Sequence, residues 1–176
     1  MGTNTIGGMV GQNIGGTINN SFVHSLDIQV SRINSQGVGG FVGAEYTGTS
    51  NFEIKNCYAE GKIKINSNSN YLGGILGYSY AQNFKMQNCF SKVNLYSDGD
   101  RIGGIIGVGG NMELDSNLSM GNIYYSKQVV SYVGRMVEKM QIKGHNYAYQ
   151  DQLINGYQKF ISPLFKSVGV NCKYYP

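Results

Sequence analysis

Ile6-Gly7-Gly8-Met9-Val10-Gly11 returns as Val38-Gly39-Gly40-Phe41-Val42-Gly43, as Leu72-Gly73-Gly74-Ile75-Leu76-Gly77 and as Ile102-Gly103-Gly104-Ile105-Ile106-Gly107. From Gly7 to Gly39, Gly73 and Gly103 the steps are 32, 34 and 30 residues. A worn copy, Val129-Val130-Ser131-Tyr132-Val133-Gly134, follows after 27 more. Each copy trails a second phrase: Ile18-Asn19-Asn20-Ser21-Phe22, Ile54-Lys55-Asn56-Cys57-Tyr58, Met86-Gln87-Asn88-Cys89-Phe90 and Leu114-Asp115-Ser116-Asn117-Leu118, with Asn146-Tyr147-Ala148 as the fifth. An alternating apolar stretch closes each unit, as in Leu26-Asp27-Ile28-Gln29-Val30, Lys62-Ile63-Lys64-Ile65 and Lys92-Val93-Asn94-Leu95. Two linked motifs in four copies make the repeat the main source of information.

Three short strands per unit, divided by Gly, Asn and Ser turns, suit one coil of a solenoid. Period-2 alternation and dense glycine exclude helical repeats of similar length. The expected fold is all-β: a single-stranded parallel β-helix of about five coils of about 30 residues each over residues 1–155, then a short helical cap over 156–176. Coils about 4.8 Å apart bring equivalent residues into ladders. Ile6, Val38, Leu72 and Ile102 form one expected ladder, and Val10, Val42, Leu76 and Ile106 another. Asn20, Asn56 and Asn88 form a polar ladder bonding coil to coil through their amides. Gly7, Gly8, Gly11, Gly39, Gly40, Gly43, Gly73, Gly74, Gly77, Gly103, Gly104 and Gly107 serve the backbone where a side chain would clash. Met9, Phe41, Ile75 and Ile105 are placed on the opposite face from the ladders, a side that something else would cover.

Composition agrees. Of 176 residues 26 are Gly and only 2 Pro, without a Gly-x-y period, which excludes collagen. With 41% hydrophobic and 14% charged residues the chain can fill a core. A net charge of +4 does not by itself point to nucleic acid, and Gly8-Met9-Val10-Gly11 recurs as a structural unit without the flanking helices of nucleotide binders. No apolar run reaches the ~20 residues of a spanning helix, and the start, Met1 to Ile6, lacks a signal-peptide pattern. The chain reads as a segment flanked by further domains. Residues 1–126 carry 7 basic and 8 acidic side chains, whereas 127–176 carry 7 and 2. The basic, aromatic tail suits either a cap on the open end of the solenoid or a segment lying on an anionic membrane surface.

The Gly-Gly-x-Val-Gly phrase followed by Asn-Cys/Ser-Tyr/Phe resembles GLUG repeats. These occur in large bacterial surface proteins, among them adhesins and the N-terminal region of immunoglobulin A-specific metallo-endopeptidases. The resemblance covers residues 6–155 and implies an extracellular, non-catalytic β-solenoid at the bacterial cell surface. The endopeptidase zinc motif His-Glu-x-x-His is absent, since His24 and His145 are the only histidines. Tyr157-Gln158-Lys159-Phe160-Ile161-Ser162-Pro163-Leu164, with Cys172-Lys173-Tyr174-Tyr175-Pro176, resembles the opening of membrane-protein insertion efficiency factors.

No cofactor or metal site and no catalytic residue is expected. The positions after Gly11, Gly43, Gly77 and Gly107 are Gln, Ala, Tyr and Val, so the Asp of calcium-binding solenoids is missing. Cys57 and Cys89 fall at equivalent positions of adjacent coils. They read as a buried thiol ladder, with a disulfide as the alternative. Among 14 tyrosines, Tyr46, Tyr78, Tyr80, Tyr96, Tyr124 and Tyr125 lie in or beside turns. They offer a face for host glycan or glycoprotein, or else fill half-buried strand positions.

Overall fold

The computed structural model describes residues 4–31, 35–46, 51–66, 71–98, 101–125, 133–136, 140–143 and 147–148. The tail 156–176 and its expected helical cap, with His145 and Cys172, lie outside them. The first coil holds β1 (Asn4–Gly7), β2 (Val10–Asn13), β3 (Gly16–Asn19) and β4 (Phe22–Val30). The second holds β5 (Ser35–Gly39), β6 (Val42–Glu45), β7 (Asn51–Lys55) and β8 (Tyr58–Ile65). The third holds β9 (Tyr71–Gly73), β10 (Leu76–Ser79), β11 (Asn83–Gln87) and β12 (Phe90–Ser97). The fourth runs through β13 (Arg101–Gly103), β14 (Ile106–Gly109), β15 (Met112–Asp115), β16 (Leu118–Ser119) and β17 (Ile123–Tyr125). A further layer comprises β18 (Val133–Met136), β19 (Met140–Lys143) and β20 (Tyr147–Ala148).

Every strand pairs in parallel with its counterpart one coil away, giving four sheets in the orders β1-β5-β9-β13, β18-β14-β10-β6-β2, β19-β15-β11-β7-β3 and β20-β16-β12-β8-β4. This is a parallel β-solenoid. The register is that of the repeat: Ile6 pairs Val38, Val38 pairs Leu72 and Leu72 pairs Ile102. Val10, Val42, Leu76 and Ile106 form the second ladder, which Val133 of the worn copy extends.

Two expectations need correction. Each coil has four sides, because the second Gly of the phrase and the residue after it form a corner between two strands. At that corner Gly40 N donates to Gly73 O at 3.2 Å and Val42 N to Ile75 O at 2.9 Å, so the bend stays bonded to the next coil. The bend also breaks the alternation. Phe41, Ile75 and Ile105 point into the core beside Val42, Leu76 and Ile106 and are fully buried, so no second covering is needed on their account.

Glycine at the phrase's end lets the first two sides of the coil lie backbone to backbone. A Cβ at Gly43 would sit 2.6 Å from Ile6 N, and one at Gly107 2.6 Å from Leu72 N. Gly77 meets Val38 in the same way. Each second-side strand thus packs over the first-side strand of the preceding coil. Large residues fill the rest of the interior, with Phe52 stacked on Phe84 at 5.2 Å and Ile54, Ile63, Met86 and Leu95 sealed from solvent.

The third corner is set by asparagine in the left-handed region, where φ is 51° at Asn20, 51° at Asn56 and 50° at Asn88. Asparagine tolerates this conformation better than other side-chain-bearing residues. Asn56 Nδ2 donates to Asn20 Oδ1 at 3.0 Å and Asn88 Nδ2 to Asn56 Oδ1 at 3.3 Å, so the amides link three coils. Ser116, with φ 55°, takes the position in the fourth coil.

Candidate functional site

The residues after the corner asparagines Asn56 and Asn88 turn inward. Cys57 Sγ donates to Lys55 O at 3.1 Å and Cys89 Sγ to Gln87 O at 3.3 Å, and both thiols are free. Asn117 continues the row, with Nδ2 donating to Met86 O at 3.0 Å and Oδ1 accepting from Cys89 N at 2.9 Å. The row therefore satisfies corner carbonyls. Its hydrogen bond with Cys57, and burial, push the Cys89 thiol up, away from the reactive thiolate.

The structure divides the tyrosines that the sequence groups together. Tyr46, Tyr78 and Tyr80 gather at the second side with Tyr71, which sequence reading passed over. Tyr78 is only 4% exposed and stacks on Tyr71 at 5.0 Å, while Tyr80 meets its edge at 4.3 Å. Tyr46 tilts against Tyr78 at 5.7 Å, and the Arg101 guanidinium lies 4.9 Å above the Tyr71 ring. Alternation hides this cluster, because Tyr71 reaches it from the strand before the Gly-Gly corner. Nearby, Glu45 is fully buried and accepts from Ser79 Oγ at 3.1 Å.

Tyr96 and Tyr124 lie on the fourth side, stacked at 4.7 Å with planes 5° apart. They border a hollow of about 250 Å³ lined also by Lys64, Asn66, Ser97 and Asp98. Tyr125 ends β17, and its side chain is outside the described set.

The outward face of β4, β8 and β12 carries a further aromatic row that sequence reading treated only as part of the repeat phrase. Phe22 pairs Tyr58 and Tyr58 pairs Phe90 in register. Tyr58 and Phe90 stack at 4.9 Å. Six residues farther along the strand come Lys64 and Tyr96, roughly 20 Å away at about 3.3 Å per residue. Between the rows Lys92 pairs with Glu60 at 2.9 Å and Lys62 with Asp27 at 3.0 Å. The Tyr58 hydroxyl donates to Glu60. Its partial burial, and then that carboxylate, push the phenol up to about 12. The same hydroxyl, with Lys92, holds Glu60 below its ordinary value, and Lys62 does so for Asp27.

Stacked rings spend their faces on each other and offer edges and hydroxyls outward. Among the described residues Tyr80, 44% exposed, and Phe22, 65% exposed, are the exposed Phe and Tyr rings. His24, on the bulge of β4, is exposed and stacks on Phe22 at 5.8 Å. Among the described residues no three His, Cys, Asp or Glu side chains converge as metal ligands do.

No curated protein and no solved structure matches the chain. The family model described as the GLUG motif matches residues 34–66, the second coil from just before β5 through β8. The corners of this matched coil, at Gly39-Gly40 and at Asn56, have counterparts in the coils beside it at Gly73-Gly74 and Asn88.

Proposed function

We propose that this chain is a non-catalytic spacer that presents a larger secreted bacterial protein at the cell surface. The GLUG motif and the solenoid fold fit a segment of a surface protein. The observation that supports the spacer role is the parallel pairing of strands from coil to coil in all four sheets, with an interior filled by Phe41, Phe52, Phe84 and branched aliphatics. Such a rod transmits position along its axis, because each coil contacts only its neighbours. In this reading the parent is a metallo-endopeptidase of the immunoglobulin A-specific type and the zinc site lies elsewhere in it. The test is the intact mass and cell fraction of the native protein, followed with an antibody to residues 1–155. A surface or secreted product far larger than 19.2 kDa is expected. A product of about that mass at the inner membrane overturns the proposal.

The openness of Tyr80 favours a second reading, an adhesin module for host glycan or glycoprotein. It requires binding on a broad glycan array that falls when Tyr80 becomes Ala. An array without signal removes it.

A further inference from the structure

We propose that the far row of the fourth side, Lys64, Tyr96 and Tyr124 with Asp98 beside it, binds an acidic sugar, a pyranose ring carrying one carboxylate. The site goes beyond the spacer role and is separate from Tyr80, which belongs to the second side.

The row is a product of register. Lys64 pairs Tyr96 and Tyr96 pairs Tyr124, so the three side chains come from consecutive coils about 4.8 Å apart. Alternation sends Ile63, Leu95 and Ile123 into the core at 0% exposure and leaves Lys64, Tyr96 and Tyr124, their neighbours in the chain, on the outward face. The two rings stack at 4.7 Å with planes 5° apart, which closes the face between them and leaves their hydroxyl-bearing edges for a ligand.

Elsewhere on this face the polar groups are already matched. Lys62 is held by Asp27 at 3.0 Å, Lys92 by Glu60 at 2.9 Å, and the Tyr58 hydroxyl donates to Glu60. Lys64, Asp98 and the hydroxyls of Tyr96 and Tyr124 have no such partner among the described residues. These four groups border one hollow of about 250 Å³. That is small against the roughly 300–1,000 Å³ of ordinary ligand pockets, so the fit is one ring and not a folded chain.

Charge and hydrogen-bonding chemistry narrow the occupant. The Lys64 ammonium donates to a carboxylate, and the phenols donate to the same anion or accept from ring hydroxyls. The Asp98 carboxylate accepts from ring hydroxyls only. A neutral sugar leaves Lys64 unused, and a phosphate dianion meets Asp98 with one ammonium to offset it. A monoanion that also carries hydroxyls uses all four groups.

The test is NMR titration of the full chain with three methyl glycosides, the glucuronide, the N-acetylneuraminide and the neutral glucoside, and with acetate. At least one acidic glycoside is expected to bind about tenfold or more tighter than the glucoside and acetate, with shifts centred on the Tyr96 and Tyr124 rings. Its affinity is expected to fall as salt rises. Lys64→Gln weakens it by about tenfold or more and Tyr124→Phe by several-fold, both with unchanged circular dichroism. Lys62→Gln, at a lysine already paired, and Tyr80→Ala leave it intact. No binding of either acid, equal binding of the glucoside or of acetate, or an affinity indifferent to Lys64→Gln overturns the inference. Loss with Tyr80→Ala and not with Lys64→Gln also overturns it and returns the glycan to the second side.

Discussion

The first coil and the coils behind it share a sequence phrase but not an environment. Val38 and Leu72 pair with a strand on either side and are sealed at 0%, while Ile6, partly buried, pairs among the described residues with Val38 alone. The third side shows the same contrast. Gly16 stands in register with Phe52 and Phe84, so the ladder loses its large side chain at the end. A hollow of about 540 Å³ beside Thr17, Glu53 and Lys85 marks the gap. A solenoid residue is thus worth what its two neighbouring coils make of it, and identical motifs differ in energy by position.

The sharpest way to break that comparison is paired truncation at the corner. Ile75→Ala removes a sealed side chain and is expected to cost about 2–5 kcal/mol, whereas Met9→Ala at the equivalent, half-exposed position is expected to cost under about 1 kcal/mol. Urea unfolding followed by circular dichroism measures both, and equal losses would show the first coil to be as tightly held as the third.

A second pair probes the glycines. Gly77→Ala drives a methyl into the backbone of Val38 and is expected to destabilise by about 1–3 kcal/mol or more. At Gly11 the nearest atom to the new methyl is Thr5 O at 3.2 Å, so Gly11→Ala is expected to cost less than half as much. Thermal midpoints of the two variants decide the matter.

The smallest expected effect is electrostatic and sharpens the contrast within the fourth side. The raised phenol of Tyr58 contributes stability that is complete below the ordinary tyrosine value near 10 and is lost as pH climbs to about 12. The lowered carboxyls of Asp27 and Glu60 work the other way, with stability present above the ordinary carboxylate range and lost as pH falls through their lowered values. Tyrosinate absorbance should show a late-titrating component that Tyr58→Phe removes, and the alkaline loss of stability should shrink with it.

The solenoid was legible in the residues because a repeat carries its own contact map. The spacing of Gly7, Gly39, Gly73 and Gly103 stacks Ile6 on Val38 and Asn20 on Asn56, and both pairings stand in the structure. A parallel register needs only that equivalent residues stack, so a one-dimensional pattern was enough to establish it. Residues 34–66 alone suffice to match the motif.

The number of sides was not legible, for a physical reason. Gly39-Gly40-Phe41 sits inside an unbroken apolar run, and a corner built from glycine and hydrophobic residues lacks the polar marks of an ordinary turn. The fate of each aromatic was equally hidden. Tyr78 and Tyr80 are two residues apart, yet one is 4% exposed and the other 44%, because burial depends on Tyr71 arriving from another strand. Sequence by itself determined which residues stack from coil to coil, since that follows from period alone. Only the tertiary structure decided which way the corner residues point, which rings keep an open face and which coil is left half covered. Those outcomes depend on contacts between sides of the rod, and no repeat length encodes them.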